Sequence, residues 1–183
     1  MKKFSVKTIV AIGIGAALFF VLGRFVAIPS GIPDTNISIQ YGVLAFIAAV
    51  YGPVAGLLAG LIGHFFIDFS WGWGVWWSWV IASAFFGCVM GFVTNKLHLE
   101  DGEFTKKNAI GFNIGQIVAH LLAWVVIAPV LDIVMYAEPA NKVFVQGLVS
   151  AGINIVATAI VGTLLCAAYA KAKPKKGSLK EEQ

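Results

Sequence analysis

Residues 64–79 read HFFIDFSWGWGVWWSW, which sets five tryptophans, a histidine and an aspartate between two long apolar runs. A membrane-crossing helix needs about 20 apolar residues, and tryptophan is enriched where such helices reach the headgroups. The stretch therefore reads as the surface end of one membrane helix, a turn at residues 70–74, and the start of the next. Five tryptophans within residues 71–79 exceed what anchoring one helix end requires. Some are expected to stack on a flat ligand, as aromatic rings do favourably.

The composition outside this stretch fixes the class. With 59% hydrophobic and 12% charged residues among 183, and a mean hydropathy of +0.86, the chain cannot cover itself with a water-soluble surface, for which about 25% charged residues is usual. It is expected to be an all-α integral membrane protein with six transmembrane helices, folded as a single substrate-binding domain over residues 1–183. The N-terminal apolar stretch is too long for a secretory signal and lacks an A-x-A-like cleavage site, so it reads as an uncleaved first span.

The expected spans cover about residues 6–28, 37–50, 53–69, 74–95, 108–135 and 143–170. The first is stopped by Pro29, Gly31 and Pro33. Tyr51, Gly52 and Pro53 reverse the chain into the third, with Pro53 in a first helical turn where its missing N–H costs nothing. Gly56, Gly60 and Gly63 let neighbouring backbones approach that helix closely. The fifth is expected to be interrupted or ended near Pro129 and Asp132. Residues 96–107 are a solvated loop, and residues 171–183 a flexible basic tail.

The net charge of +4 is no sign of nucleic acid, because the basic residues lie in the N-terminus, one loop and the tail. Six spans put both termini on one side together with every lysine and arginine except Arg24 and Lys142. The positive-inside rule then places both termini in the cytoplasm of a cell whose plasma membrane the chain crosses several times. The aromatic stretch opens outward.

An ionised group at the bilayer centre costs about 2.5–3.5 kcal/mol on insertion scales, so polar residues within the spans need a reason. His64 and Asp68 are four apart and share a helix face, where the carboxylate fixes the imidazole tautomer. Two ligands are too few for a protein metal site, and no metal is expected. Asn113, Gln116, His120 and Trp124 form one stripe on span five; Gln146, Ser150, Asn154 and Thr158 form an i, i+4 series on span six. The deeper Asn113, Ser150 and Thr158 read equally as interhelical hydrogen-bonding groups. Gln40 and Gln146, near the outward ends of their spans, are ligand candidates, with His120 and Asn154 forming a floor. Among the tryptophans, Trp73, Trp76 and Trp77 share one side of a helix starting near Gly72, while Trp71 and Trp79 point elsewhere. No phosphate-binding loop is present, so any ATP hydrolysis belongs to partners. No nucleophile with an adjacent base is visible either, and no enzyme activity or bound cofactor is expected.

Two motifs point to a family. YGPVAGLLAGLIGHFFID at residues 51–68 carries a Gly-Pro-x-x-Gly helix start, and AIGIGAAL at residues 11–18 carries a pattern of small residues. With the size, topology and basic termini, they make the chain resemble the substrate-binding S component of an energy-coupling factor (ECF) vitamin transporter. It most resembles the riboflavin-transporter-like branch of hydroxymethylpyrimidine or vitamin B6 type. The resemblance implies a subunit that captures a vitamin outside, docks onto a transmembrane T protein carrying two ATPases, and topples to release it inside. It also implies docking through an Ala-x-x-x-Ala motif of span one. Here Ala11 is followed at that spacing by Gly15, and Ala17 is preceded by Gly13. If Arg24 looks inward, the Ala11 and Gly15 stripe, on the opposite side of the helix, faces out.

The expected ligand is a small flat heteroaromatic vitamin or precursor. Trp76 or Trp77 would stack on it, Gln40, His64, Asp68, His120, Gln146 and Asn154 would bond it, and the loop bearing Pro29, Asp34 and Asn36 would close over it. The alternative is a solitary ion-coupled permease using His120 or Asp68 as proton carrier.

Overall fold

The computed structural model describes residues 5–31, 35–72, 74–97 and 99–173. Asp34, Trp73 and the tail beyond Lys173 lie outside the described residues. Six helices carry the fold. Helix α1 (Val6–Phe25) starts where the Ser5 hydroxyl accepts the Thr8 backbone N–H at 3.1 Å. The chain then makes a short antiparallel hairpin of β1 (Ile28–Pro29) and β2 (Asn36–Ile37), pairing Ile28 with Ile37 and Pro29 with Asn36. Helix α2 (Gln40–Tyr51) follows, and Gly52, at φ 89°, turns it directly into α3 (Pro53–Trp71). Gly72 ends α3 in the left-handed conformation, and α4 (Trp77–Thr94) runs back. After a 3-10 turn at Leu99–Asp101 come α5 (Lys106–Tyr136) and α6 (Ala140–Ala172).

Five of these helices are long and apolar enough to cross a membrane, while α2 has 12 residues. At 1.5 Å per residue α2 spans about 18 Å, well short of the ~30 Å hydrocarbon layer. The hairpin between α1 and α2 occupies the chain length that would have completed it. Thr35, Asn36 and Ser38 of this connection line a cavity in the bundle.

Helix α3 packs closely on both α1 and α4, as its glycines predict. A Cβ on Gly56 would meet the Gly87 carbonyl, and one on Gly87 the Gly56 carbonyl. A Cβ on Gly60 would lie 2.7 Å from the Ser83 carbonyl, and one on Gly63 2.9 Å from that of Ala16. Without a hydrophobic drive between helices in lipid, such contact supplies the dispersion energy of association. The lipid-facing sides are apolar, as Ile110, Ile114 and Val118 along α5 illustrate.

Two expectations change. Helix α5 neither ends nor breaks at Pro129: it widens into a π turn at Leu122–Ile127 and continues to Tyr136. Ala128 N–H bonds to the Ala123 carbonyl five residues back, and the extra residue makes room for the proline ring, which an α turn would press against a carbonyl. The Trp124 carbonyl then abuts α6 at Gly147, where any Cβ would collide with it. The small-residue stripe of α1 is also reversed. Ala11 and Gly15 are buried, Gly15 facing Ala59 and Ile47, whereas Gly13 and Ala17 are exposed. Arg24 is half-buried and turns to the end of α3, where its Nε donates to Ser70 Oγ at 3.0 Å and its guanidinium lies 3.8 Å from the Trp71 ring centre.

Candidate functional site

A cavity of about 440 Å³ opens at the end of the bundle where α1 and α3 finish and α4 and α6 begin. Its wall brings together Gln40 from α2, His64 and Asp68 from α3, Trp76 beside α4, and Gln146 and Asn154 from α6. These residues span more than 110 positions of sequence and converge on one space. Asn36 of β2 also lines it, while its cross-strand partner Pro29 is exposed outside the wall.

One hydrogen-bonded chain runs across the wall. Tyr41 Oη lies 2.8 Å from Ser83 Oγ, which lies 2.5 Å from His64 Nδ1. His64 Nε2 is 3.5 Å from Asp68 Oδ1, and Asp68 Oδ2 accepts the Trp76 backbone N–H at 2.9 Å. The i, i+4 spacing of His64 and Asp68 thus gives the pairing expected. Asp68 accepts a backbone N–H at the start of α4, where the helix dipole favours negative charge.

A second network was not legible as a site in the sequence. Asp132 of α5, only 1% exposed, accepts Trp76 Nε1 at 2.6 Å, Trp79 Nε1 at 2.8 Å and the Ser78 hydroxyl. One carboxylate thereby clamps two indoles from the opposite helix. Trp76 also stacks on Tyr136 at 4.3 Å between ring centres, and Trp79 lies 5.3 Å from Trp124. Among the described residues of the tryptophan stretch, Trp71, Trp76 and Trp79 line the cavity, joined by Trp124 from α5. Trp71 and Trp79, expected to point away from the side shared by Trp73, Trp76 and Trp77, line the wall instead: α4 starts at Trp77 rather than near Gly72, which leaves Trp76 outside the helix, where it meets Trp79 at Asp132. Trp77 is 43% exposed and lies against Phe65, away from the wall.

His120 stands behind the wall rather than in it. Its Nδ1 accepts Trp124 Nε1–H at 2.9 Å, which leaves the proton on Nε2, 2.9 Å from Thr158 Oγ1. Its ring stacks on Phe86 at 4.0 Å. His120 therefore positions Trp124 and lies outside the cavity floor expected of it. The other deep polar groups divide: Asn113 bonds Thr163 Oγ1 at 3.0 Å and Gln116 the Ile155 carbonyl at 3.2 Å, as interhelical links, but Ser150 lines the cavity. At the rim, Lys142 Nζ lies 2.8 Å from Glu138 Oε2, and both residues line the cavity. A lone acid in an apolar span facing a run of indole donors was the available sign of the Asp132 clamp. Its read-out needed the pairing of α4 with α5.

Residues 3–171 match the family described as "ECF-type riboflavin transporter, S component". The chain is 55% identical over 184 residues to the "UPF0397 protein" of Staphylococcus aureus strain MSSA476, and 54% identical to that of strain Newman, each alignment covering 100% of both chains. Its fold is similar to a solved "S-component for biotin from an ECF-type ABC transporter", with a TM-score of 0.65 at 17% identity over 89% of this chain and 90% of that one. Six helices around a cavity walled by aromatic and polar groups accord with that kinship. The chain belongs to the ECF-type riboflavin transporter S-component family and is a multi-pass plasma-membrane protein, a substrate-capture subunit of an ECF transporter and not an enzyme.

Proposed function

We propose that the cavity holds a small flat heteroaromatic vitamin or precursor, of the hydroxymethylpyrimidine or pyridoxine kind, taken from the outward side. The observation that carries the reading is the convergence of Trp76, Trp79 and Trp124 with Gln40, His64, Asp68, Gln146 and Asn154 on a space of about 440 Å³. That volume is at the small end of ligand pockets, about 300–1,000 Å³, and the mixture of ring surface with a few fixed polar groups suits a hydroxylated heterocycle. Trp76 offers the stacking surface; Asp68 and His64 bond the ring substituents; the hairpin bearing Pro29 and Asn36 closes the mouth.

Delivery then requires partners. The subunit docks onto a transmembrane T protein with two ATPases that hydrolyse ATP, and topples to release its ligand inward, with both termini in the cytoplasm. Docking uses the exposed Gly13 and Ala17 pair of α1, because Ala11 and Gly15 are already committed to α2 and α3. Small residues on a lipid-facing helix allow another helix close approach.

Identification of the ligand that co-purifies with the full chain, followed by binding measurements on His64→Ala, Asp68→Ala and Trp76→Ala, tests this. Each substitution is expected to weaken binding about tenfold or more, the value of one lost stacking or charge-assisted contact, while assembly with the T protein persists. Wild-type affinity in all three removes the site.

A further inference from the structure

We infer that, among the flat heterocycles it admits, the cavity prefers a cationic ring, or one bearing a protonated amine, to its neutral counterpart and excludes an anionic one. The inference deepens the reading above and rests on it for the location of the ligand, but it concerns the charge class. Among the described lining residues, three carry carboxyl groups, Asp68, Asp132 and Glu138, and one an ammonium, Lys142. Lys142 is held 2.8 Å from Glu138, so this rim pair cancels. Asp68 and Asp132 remain, two carboxyl groups deeper in the wall, Asp68 with the His64 imidazole 3.5 Å away.

Arg24, whose guanidinium lies 3.8 Å from the Trp71 ring centre and whose Nε donates to Ser70, is not among the described residues that line the cavity. An anionic ligand would thus meet two acids with no guanidinium or second lysine among the described lining residues to receive it. Like charges set together at a recognition site are strongly unfavourable and suppress binding of the wrong partner.

The aromatic part of the wall favours the same charge. Trp is the best cation–π partner, and desolvation strengthens the interaction. Trp76 and Trp79 donate their indole N–H groups to Asp132, and Trp124 donates its own to His120. Those N–H groups are consumed within the protein, so the rings offer the cavity carbon surface rather than donors. Donation to a carboxylate also pushes electron density into the indole, making its face more negative. Asp68 adds the counter-charge: one oxygen accepts the Trp76 N–H and the other lies 3.5 Å from His64 Nε2, within the cavity lining.

The test uses the full chain in lipid nanodiscs, with binding read by tryptophan fluorescence and calorimetry. Matched ligands are 4-amino-5-aminomethyl-2-methylpyrimidine, its 5-hydroxymethyl counterpart and the phosphate ester of the latter. A ligand-independent set is N-methylpyridinium, nicotinamide and nicotinate. The aminomethyl compound is expected to bind about tenfold tighter than the hydroxymethyl one, and the phosphate about a hundredfold weaker. N-methylpyridinium should quench where nicotinate does not. Asp68→Asn, which keeps an acceptor for the Trp76 N–H, should shrink the cation preference to about threefold or less. Glu138→Gln serves as a second variant should Asp68→Asn fold poorly, and should raise the relative binding of nicotinate by removing one carboxylate from the lining beside Lys142.

Equal or tighter binding of the hydroxymethyl compound or of nicotinate overturns the inference, as does a preference untouched by both variants. If the pyrimidines bind without regard to charge, this inference falls and the proposed substrate stands. If none binds but the pyridinium preference is present and depends on Asp68, the proposed substrate falls and this inference stands.

Discussion

Replacing Asp132 removes the acceptor of three donors at once: Trp76 Nε1, Trp79 Nε1 and Ser78 Oγ. A hydrogen bond to a charged group contributes about 1.5–3 kcal/mol net, which would total about 4–9 kcal/mol for three. Two facts lower that figure. Polar contacts inside membrane proteins average nearer ~0.6 kcal/mol, and Trp76 is 36% exposed, so water replaces its lost acceptor. Ser78 is fully buried and is not so easily rescued. Asp132→Ala is therefore expected to cost about 2–4 kcal/mol, lowering Tm by about 5–15 °C at the usual scaling for a chain of this size. Asp132→Asn is expected to cost about half as much, because its amide oxygen still serves Trp76 and Ser78 while its NH₂ faces the Trp79 N–H as donor against donor. The assay is thermal unfolding of the ligand-free subunit in detergent, with tryptophan emission recorded alongside. Both variants should shift that emission, since the indoles they release line the cavity. Equal effects of Asn and Ala, or lowered stability with unaltered emission, would refute the clamp.

Gly13→Leu is expected to abolish co-purification with the T protein while leaving ligand binding by the isolated subunit intact, because a Cβ there meets nothing within 4 Å. Gly15→Leu is expected instead to destabilise the subunit itself by about 1–3 kcal/mol, the usual cost of overpacking, since its Cβ would lie 3.2 Å from both Ala59 and Ile47; pull-down and thermal unfolding separate the two. Gly147→Ala should lower Tm and weaken binding together by pushing the Trp124 carbonyl, and with it a cavity wall, whereas Gly152→Ala, with nothing within 4 Å inside a helix, should leave binding unchanged and hold or slightly raise Tm.

Much of the site was legible because it depended on spacing within one helix. His64 with Asp68, and Gln146 with Ser150 and Asn154, are i, i+4 sets whose shared face follows from 3.6 residues per turn. The tryptophans were harder, since their directions depend on where α4 begins. With α4 starting at Trp77 instead of near Gly72, Trp76 sits outside the helix and meets Trp79 at Asp132, and Trp79 rather than Trp77 lines the wall. His120 was misplaced for a different reason: a polar residue at mid-depth satisfies the same pattern whether it faces a ligand or holds a neighbour, and here it holds Trp124.

The sequence alone determined the apolar class, the helical periodicity, the positions of the turns at glycine and proline, and the kinship with S components, because each is written in local composition or short motifs. Tertiary structure decided which side of α1 is exposed, that the fifth helix widens into a π turn and passes Pro129, and that Asp132 gathers Trp76 and Trp79 from more than 50 residues away. The physical reason is that lipid treats every apolar helix face alike. Which face turns inward is settled by the fit of ridges, small residues and hydrogen-bond partners between helices, and that fit has no local record in the chain.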